Sequence, residues 1–334
     1  MLKNIYYSLV SLLPIGLLRN AGPHRILLPY HHLVSDSTQP HIEHLYPFKN
    51  VAAFKKDIDY LIQHFNPIHP DELYQLVIQN KPVPAGSFLL SFDDGLSQVY
   101  HIIAPILKEK NIPAIFFINP NFVDNRQLFY RCKISLLIAE LIKHPQQQTI
   151  YTQLLQIANK SIENTSEVLR KINQNNSYLL DELAQKINFS FEDYLNNTRP
   201  FLTREQILTL HNQGFSIGAH SMNHPYYSLL SADEQVEQTL QSCEYVKKLT
   251  GQDTCHFSFP HSDKAIRVAT IQKILEGNNG LLFGIQNQRL ELQHQIMHRF
   301  NAERPGIPFH QLVKGQIVFN HLEKITGRYQ ISRQ

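Results

Sequence analysis

Residues 87–95 read SFLLSFDDG, an apolar run that ends in two adjacent carboxylates and a glycine. The run is short and rich in Leu and Phe, as buried strands of parallel sheets are. Asp93 and Asp94 therefore stand at the carboxyl end of a predicted strand, where the active sites of parallel α/β folds collect. Two neighbouring carboxylates repel each other unless a metal ion or a base role separates them. A plain Asp-Gly turn, with Asp93 as a helix cap, is the alternative interpretation.

Short apolar runs of the same kind alternate with helical patterns along the chain. The predicted strands are Arg25–Tyr30, Ser87–Phe92, Pro113–Ile118, Gly214–Ala219, His256–Phe259, Leu281–Ile285 and Gln295–Phe300. The predicted helices are Val51–His64, Leu96–Lys110, Thr203–Asn212 and Ser231–Leu249, and the last two open with a capping-box pattern. This alternation predicts a parallel α/β fold.

The 334 residues fit either two domains or one large α/β barrel with insertions. We predict an apolar helix over residues 1–24 and a single catalytic domain over 25–334. From about residue 121 to 200 the chain is rich in Gln, Asn, Leu and Ile without a strong strand pattern, which predicts a helical insertion.

The apolar run Ile5–Leu18 is too short, and too interrupted by Pro14, for a confident membrane span. A cleaved signal peptide is one interpretation and implies secretion, but no clear cleavage site follows. We favour a retained amphipathic helix in residues 1–20, packed on the domain or lying on a membrane surface. That interpretation favours a cytoplasmic or membrane-associated protein with peripheral membrane contact.

The composition excludes several classes of protein. Hydrophobic residues make up 43% and charged residues 18%, which is enough for a sizeable core and unlike a disordered chain. The net charge is only +3 without a basic tract, so we predict no nucleic-acid partner. The three cysteines form no C-x-x-C pair, which argues against both a disulfide framework and a cysteine zinc site.

A second motif, GAHSMNHP at residues 218–225, also follows an apolar strand. If the strand runs into a helical turn, His220 and His224 lie on one face, as chelation of a metal requires. Two neutral imidazoles and one carboxylate make a three-ligand site with an open position for water. Two unrelated loop histidines are the alternative, but this motif and the Asp-Asp pair support each other in one parallel fold.

Three further strand ends contribute weaker candidates. Pro260 and His261 follow the strand at 257–259, where Pro260 either shapes a pocket or simply ends the strand. His298 and Arg299 point to opposite faces of a strand, so one of them can face the site. His31 and His32 lie at the end of the first strand, where one of the two can line the site; we take His31 as the candidate for binding substrate, with a structural role as the alternative.

These motifs resemble those of a known family. SFDDG at 91–95, HSMNHP at 220–225 and FSFP at 257–260 look like the three leading motifs of the polysaccharide deacetylases, the NodB-like group or carbohydrate esterase family 4. LPYHHL at 28–33 is similar to the Tyr-His start of many members. The likeness covers about residues 25–119 and 201–301. Its first two motifs are specific and its later ones are weak.

The resemblance implies a distorted, incomplete (β/α) barrel and removal of N- or O-acetyl groups from a carbohydrate or glycan. It implies that Asp94, His220 and His224 bind one divalent metal ion, usually Zn²⁺, and that Asp93 is the general base. It also implies a late histidine as general acid, and His298 is the nearest match.

Two departures from the family pattern affect the expected site. Ser258 stands where many members have an arginine that orients the base, and we hypothesise that Arg299 replaces it from a neighbouring strand. The chain has no Trp, so the family's Trp-containing motif is missing, and Tyr226 and Tyr227 are candidates for the aromatic wall.

Three other functions remain open at the level of sequence. The same metal site would serve an amidase acting on a non-sugar C–N bond. A glycan-binding protein without catalysis would keep the fold, although a pure binder has no need of a base beside a metal. A scaffold or membrane-surface protein would be built around the N-terminal helix, and deletion of residues 1–20 separates that role from catalysis.

Overall fold

A computed structural model describes residues 2–21, 25–157, 161–304 and 306–333 of the chain. The strands are β1 (Ile26–Leu27), β2 (Pro29–His31), β3 (Asn66–Pro67), β4 (Ser87–Phe88), β5 (Leu90–Phe92), β6 (Ala114–Ile118), β7 (Ser216–Ala219), β8 (Phe257–Ser258), β9 (Leu282–Gly284), β10 (Ile296–His298) and β11 (Phe300–Asn301). Each predicted strand contains at least one of them. The domain boundary predicted at residue 24 lies outside the described residues.

The helices alternate with these strands and extend into the segment between β6 and β7. They are α1 (Leu2–Ser11), α2 (Ile15–Ala21), α3 (Val51–His64), α4 (Pro70–Ile78), α5 (Ala104–Glu109), α6 (Tyr130–Lys143), α7 (Gln148–Leu154), α8 (Ile162–Arg170), α9 (Tyr178–Lys186), α10 (Phe191–Thr198), α11 (Arg204–Asn212), α12 (Ala232–Thr250), α13 (Val268–Gly277) and α14 (Phe309–Ile325). None of the described helices is long and apolar enough to cross a membrane.

Eight parallel strands form the main sheet in the order β10-β9-β8-β7-β6-β5-β2-β11. Its two end strands are separated in the chain only by Arg299. The Arg299 N–H donates to the carbonyl of Gly284 in β9, and the Phe300 N–H donates to the carbonyl of Leu28, just before β2. One stretch of chain thus joins both edges of the sheet, which confirms the distorted (β/α) barrel and makes it nearly closed.

The outer helices begin and end where the sequence supplies the required caps. The Asn50 side chain accepts from the Ala53 N–H at the start of α3. The predicted capping boxes are confirmed at the starts of α11 and α12. Helix α12 ends at Thr250 and is capped by Gly251, whose φ of 76° is a left-handed conformation that glycine adopts without strain.

The helix predicted over Leu96–Lys110 has a different form. Residues Val99–Ile103 make a π-helical turn before α5, and the Ala104 N–H donates to the Val99 carbonyl. Pro105 lacks an N–H group and cannot continue the α-helical bonding at this point. The wider turn accommodates that missing donor.

Helices α6 to α10 pack around a second hydrophobic cluster, which also contains Leu33, Ile42 and Leu96 from the loops after β2 and β5. Leu136, Leu137, Ile138 and Leu141 of α6 are buried in it. The segment predicted as a helical insertion is therefore packed on the barrel loops through a shared apolar core, and its helix α6 begins beside the ends of the barrel strands, where the candidate site lies.

Candidate metal and catalytic site

The two principal motifs meet at the carboxyl ends of neighbouring barrel strands. Asp93 and Asp94 follow β5, and His220 follows β7. Asp94, Ser221 and His224 have φ values of 73°, 64° and 58°, a left-handed conformation that non-glycine residues rarely adopt. Such strain persists where the surrounding structure enforces it, and it is concentrated at functional sites.

A third strand end holds this loop in place. Asn119, directly after β6, donates from its amide to the carbonyls of His220 and Ser221, the latter at 3.1 Å. Asn119 was not predicted as a site residue, although it follows a buried strand, which is the criterion that identified the other candidates.

Asp94, His220 and His224 form a buried cluster with the donor set of a metal site. Asp94 Oδ1 lies 3.1 Å from His224 Nε2 and 3.5 Å from His220 Nε2. This oxygen has no hydrogen-bond partner among the described residues. Buried carboxylate oxygens normally have a hydrogen-bond partner, and this one faces two imidazole nitrogens without one in the described part of the chain. A cation bound between the three groups would supply the missing interaction.

The protonation of His220 fits that use. Its Nδ1 lies 2.7 Å from the Ser258 carbonyl, which can only accept, so Nδ1 carries the hydrogen and Nε2 keeps its lone pair. Burial lowers the pKa of His220 to about 4, and the ring is therefore neutral at pH 7. Burial alone would raise the pKa of Asp94, but the facing His224 holds it well below the usual range. Neutral imidazoles and an ionised carboxylate are the forms that bind metals.

Asp93 is held by Arg299 through two parallel hydrogen bonds, Nη1 to Oδ1 and Nη2 to Oδ2, both 2.8 Å long. Arg299 also donates to the hydroxyls of Ser91 and Ser258, at 2.9 and 2.6 Å. Burial raises the pKa of Asp93, but the Arg299 guanidinium and His220 bring it below its usual value. Asp93 is thus an ionised carboxylate in a fixed orientation. The contact is the one hypothesised from sequence, with the Arg299 guanidinium reaching the Ser258 hydroxyl.

A pocket of about 150 Å³ opens beside these residues. It is lined by Tyr30, His32, Tyr46, Asp93, Asp94, Phe129, Arg131, His220, His224, Phe259, His261 and Ile285. Tyr46 donates from its hydroxyl to Asp94 Oδ2 at 3.1 Å. Phe129 and Arg131 come from the start of α6, so the segment between β6 and β7 contributes part of the wall.

The interpretation of His31 as a pocket residue is wrong. Its ring is 1% exposed and packs against Phe54 and Phe92, with centroids 5.4 and 5.6 Å apart. His32 lines the pocket instead, because successive side chains of a strand point to opposite sides. Its Nδ1 lies 2.7 Å from Glu303 Oε2. Burial lowers the pKa of His32, but Glu303 more than offsets this and raises it to about 9.

The interpretation of His298 as a residue of this site is also wrong. Its Nε2 lies 3.0 Å from Glu291 and its Nδ1 lies 3.8 Å from Asp263. Both ring nitrogens therefore face carboxylates in a separate buried cluster, away from the pocket. The strand alternation that turns Arg299 toward Asp93 turns the preceding His298 to the other side.

The candidates after β7 and β8 have different positions. Pro260 is buried and does not line the pocket, whereas its neighbour His261 does. Tyr226 stacks on the His261 ring, with centroids 3.7 Å apart, and its hydroxyl accepts from Arg131 at 2.7 Å. Tyr226 thus supports the wall from behind His261.

Four contacts at the pocket were missed from sequence: those of Tyr46, Phe129, Arg131 and Glu303. The first three lie in loops or in the α6 segment, where no strand pattern marks them. Glu303 follows β11 by two residues, so the criterion of an acidic residue at a strand end would have identified it.

Comparison with known proteins identifies the family. The family model described as "Polysaccharide deacetylase" matches residues 80–277, more than half of the chain. The chain belongs to the polysaccharide deacetylase family. Polysaccharide deacetylases are hydrolases of carbon–nitrogen bonds other than peptide bonds, they act on carbohydrates, and the family is metal-dependent.

Solved polysaccharide deacetylases share the barrel. The Streptococcus pyogenes deacetylase PplD, solved in complex with acetate, has a TM-score of 0.57 and 15% identity, covering 88% of this chain and 99% of its own. IcaB from Ammonifex degensii has a TM-score of 0.56 and 15% identity, covering 88% and 98%. The polysaccharide deacetylase BC0361 from Bacillus cereus has a TM-score of 0.53 and 11% identity, covering 88% and 69%. Identities this low show a common fold alone. No curated protein sequence matched the chain.

Proposed function

We propose that this deacetylase removes an N-acetyl or O-acetyl group from a carbohydrate or glycan-containing substrate with a divalent metal ion bound by Asp94, His220 and His224. The observation that carries the proposal is the buried Asp94 Oδ1, which faces two imidazole nitrogens and has no hydrogen-bond partner among the described residues. Two neutral imidazoles and one carboxylate suit Zn²⁺ in a site with an open position.

A metal ion held by these three residues would supply a Lewis acid to polarise the acetyl carbonyl and to lower the pKa of a water molecule toward about 7. The protein's part is to orient the ligands. The Ser258 carbonyl holds the His220 ring through Nδ1, and the Asn119 amide fixes the backbone of the same loop. Such outer contacts select the tautomer and direction of a ligand.

Asp93 acts as general base and accepts a proton from the attacking water. It is ionised, and the two bonds from Arg299 fix its plane. A carboxylate has about four lone-pair sites, so it can accept a further proton donor while both oxygens bind Arg299. Arg299 is a positioning residue in this proposal because it acts through Asp93.

His32 acts as general acid in place of His298. It lines the pocket, and Glu303 keeps it protonated at neutral pH by raising its pKa to about 9. A protonated imidazole can donate to the leaving amine nitrogen or alcohol oxygen as the bond to the acetyl carbon breaks. Its carboxylate partner also fixes the ring orientation.

The small size of the pocket fits a site for the acetyl group with most of the substrate outside it. Its volume of about 150 Å³ is below the roughly 300–1,000 Å³ of pockets that enclose a ligand. The rest of the substrate would lie along the wall of His261, backed by Tyr226 and Arg131. We assign this site to a catalytic domain spanning residues 25–334, in which the insertion at about 121–200 supplies Phe129 and Arg131.

The test measures metal content and acetate release on an N-acetylated amino-sugar oligomer for wild type, Asp93→Asn and Asp59→Asn. Asp59 is an exposed carboxylate on α3 and controls for the charge change. We expect metal in all three proteins, and acetate from wild type and Asp59→Asn only.

Two results would contradict the proposal in different ways. Bound metal without acetate release from any sugar would retain the site but move the substrate to a non-sugar amide. Absence of metal from all three proteins would reject the metal site and leave a glycan-binding protein as the better interpretation.

A further inference from the structure

Helix α1 presents apolar residues on two faces, and one face is packed on the domain. Tyr7 and Val10 are 7% and 6% exposed. The Tyr6 hydroxyl donates to the Gly315 carbonyl on α14 at 2.7 Å. A side chain at Gly315 would place its Cβ 2.3 Å from the Tyr7 ring, so the glycine permits this close packing. This face attaches α1 to the rest of the fold.

The other face has no partner among the described residues. Ile5, Leu9 and Leu12 recur at helical spacing and are 50%, 62% and 80% exposed. Leu13 and Leu17 continue the patch toward α2 and are 42% and 70% exposed. Isolated exposed leucines are normal, but a contiguous stripe of them marks a binding surface. We call these residues the leucine patch.

Positive charge borders the leucine patch. The first acidic residue of the chain is Asp36. Lys314 donates to the Ser11 carbonyl at 2.7 Å, directly before Leu12. Lys314 and Lys56 both line a groove beside Ile15, and the one acidic residue of that groove, Asp57, is already paired with Lys49.

We propose that the leucine patch docks this enzyme on an anionic lipid bilayer, with Leu9, Leu12 and Leu17 among the acyl chains and Lys56 and Lys314 facing lipid phosphates. An apolar stripe bordered by lysines is the pattern of helices that lie in the membrane interface. A symmetric dimer through the same patch would bring the lysine borders of two copies together without an acidic residue before Asp36 to offset them.

The geometry also sets the orientation of the docked enzyme. Arg19 of α2 donates to the His64 carbonyl and packs against Gly86, just before β4. Helix α2 therefore lies at the amino-terminal end of the strands, whereas the pocket opens at their carboxyl ends. The part of the leucine patch that lies on α2 is therefore at the opposite end of the strands from the pocket, so docking places the enzyme without altering hydrolysis of a soluble substrate.

The test is co-sedimentation of the full chain with vesicles of phosphatidylcholine, alone or mixed with phosphatidylglycerol. We expect wild type to bind the mixed vesicles, and the double variant Leu12→Ser/Leu17→Ser to bind at least tenfold more weakly because it loses exposed apolar contacts. Leu292→Ser, at an exposed leucine outside the patch (74% exposed), should bind like wild type.

A charge pair of variants tests the lipid phosphates. Lys56→Glu should weaken binding to the mixed vesicles severalfold, and high salt should do the same. Lys248→Glu, which changes an exposed lysine on α12, should have no such effect.

Three results would overturn the proposal: no binding of wild type to anionic vesicles, equal loss in Leu292→Ser, or a dimer in analytical ultracentrifugation that Leu12→Ser/Leu17→Ser abolishes. Thermal unfolding of each variant checks that it folds. Acetate release from a soluble oligomer is measured alongside and should be unchanged in all variants, so failure of docking is distinguishable from failure of the proposed deacetylase activity.

Discussion

Two consecutive residues, His298 and Arg299, acquire opposite roles because a strand turns their side chains to opposite sides. Arg299 is 1% exposed and binds both oxygens of Asp93. A lysine at this position would keep the charge but lose the planar pair of donors. The identity of the side chain, and not only its charge, should therefore matter for activity.

We expect Arg299→Lys to lower kcat at least about tenfold because the two-point contact that orients Asp93 is lost. Arg299→Ala should lower kcat further and destabilise the protein by about 3–5 kcal/mol, because Asp93 becomes a buried charge without its partner. Acetate release and denaturant unfolding measure the two effects. Unchanged activity in Arg299→Ala would reject the positioning role, and retained metal in Arg299→Lys would show that the ligand set is intact.

His32 should give the activity an alkaline limit. Its pKa of about 9 lies above the ordinary value of 6.5, and the acid that donates to the leaving group must be protonated. We expect kcat/KM to fall as pH rises toward about 9, or somewhat lower because a bound dication disfavours a second nearby positive charge. His32→Gln should lose most of the activity, and what remains should no longer fall as pH rises toward about 9. A wild-type profile that stays flat to pH 10 would exclude His32 as the acid.

The same ionisation contributes to stability with a definite sign. A group whose pKa is raised on folding stabilises the folded state fully below its unfolded pKa, and loses that contribution as pH rises through the folded pKa. Glu303→Gln removes the carboxylate that raises the pKa of His32. The wild-type melting temperature should therefore fall more than that of Glu303→Gln between pH 6.5 and about 9.

At the scale of elements, the end of the described chain is joined to the barrel through buried charges. Arg333 binds the carboxylates of Asp263 and Glu291, and His298 of β10 lies between the same two acids. Although these residues have the composition of a metal site, the Arg333 guanidinium already neutralises the carboxylates. We interpret the cluster as a structural network of ion pairs that joins β10 to the loops after β8 and β9.

We expect Arg333→Ala to lower the free energy of unfolding by about 3–5 kcal/mol, because two buried carboxylates lose their cation. The matched control is Lys273→Ala, which removes a 58% exposed lysine from its pair with Asp233 and should change stability by at most about 1 kcal/mol. Chemical denaturation measures both variants. Equal effects would show that the Arg333 network contributes no more than a surface pair.

At the scale of the whole molecule, a metal bound only by the folded state should stabilise the entire barrel. A ligand present at 100 times its dissociation constant adds about 2.7 kcal/mol. The proposed ligands follow β5 and β7, so the ion would connect the ends of two strands, and the Asn119 amide after β6 already holds the loop after β7.

Removal of metal with a chelator should therefore lower the melting temperature of wild type by several degrees, and addition of Zn²⁺ should restore it. His224→Gln should unfold at one temperature under both conditions. If the chelator has no effect on a wild-type protein that is shown to contain metal, the ion is not bound at this buried site.

The sequence alone determined the features that depend on neighbouring residues. Strands, capped helices and the order of the two motifs follow from apolar runs, helical spacing and local caps, and the barrel strands and both capping boxes are confirmed. Strand-end position also selected Asp93, Asp94, His220 and His224 as candidates, because the active sites of parallel folds collect at the carboxyl ends of the strands, and the structure brings the four residues to one pocket.

Only the tertiary structure decided which side of a strand each residue occupies and which distant partner it meets. Packing on both faces of the sheet decides which of two successive side chains points toward the pocket. The neighbouring sequence therefore does not show that His32 faces the pocket and His31 does not, or that Arg299 faces Asp93 and His298 does not. Glu303 reaches His32 across 271 residues and Arg299 reaches Asp93 across 206. These contacts exist because closure of the barrel brings its last strand beside its first.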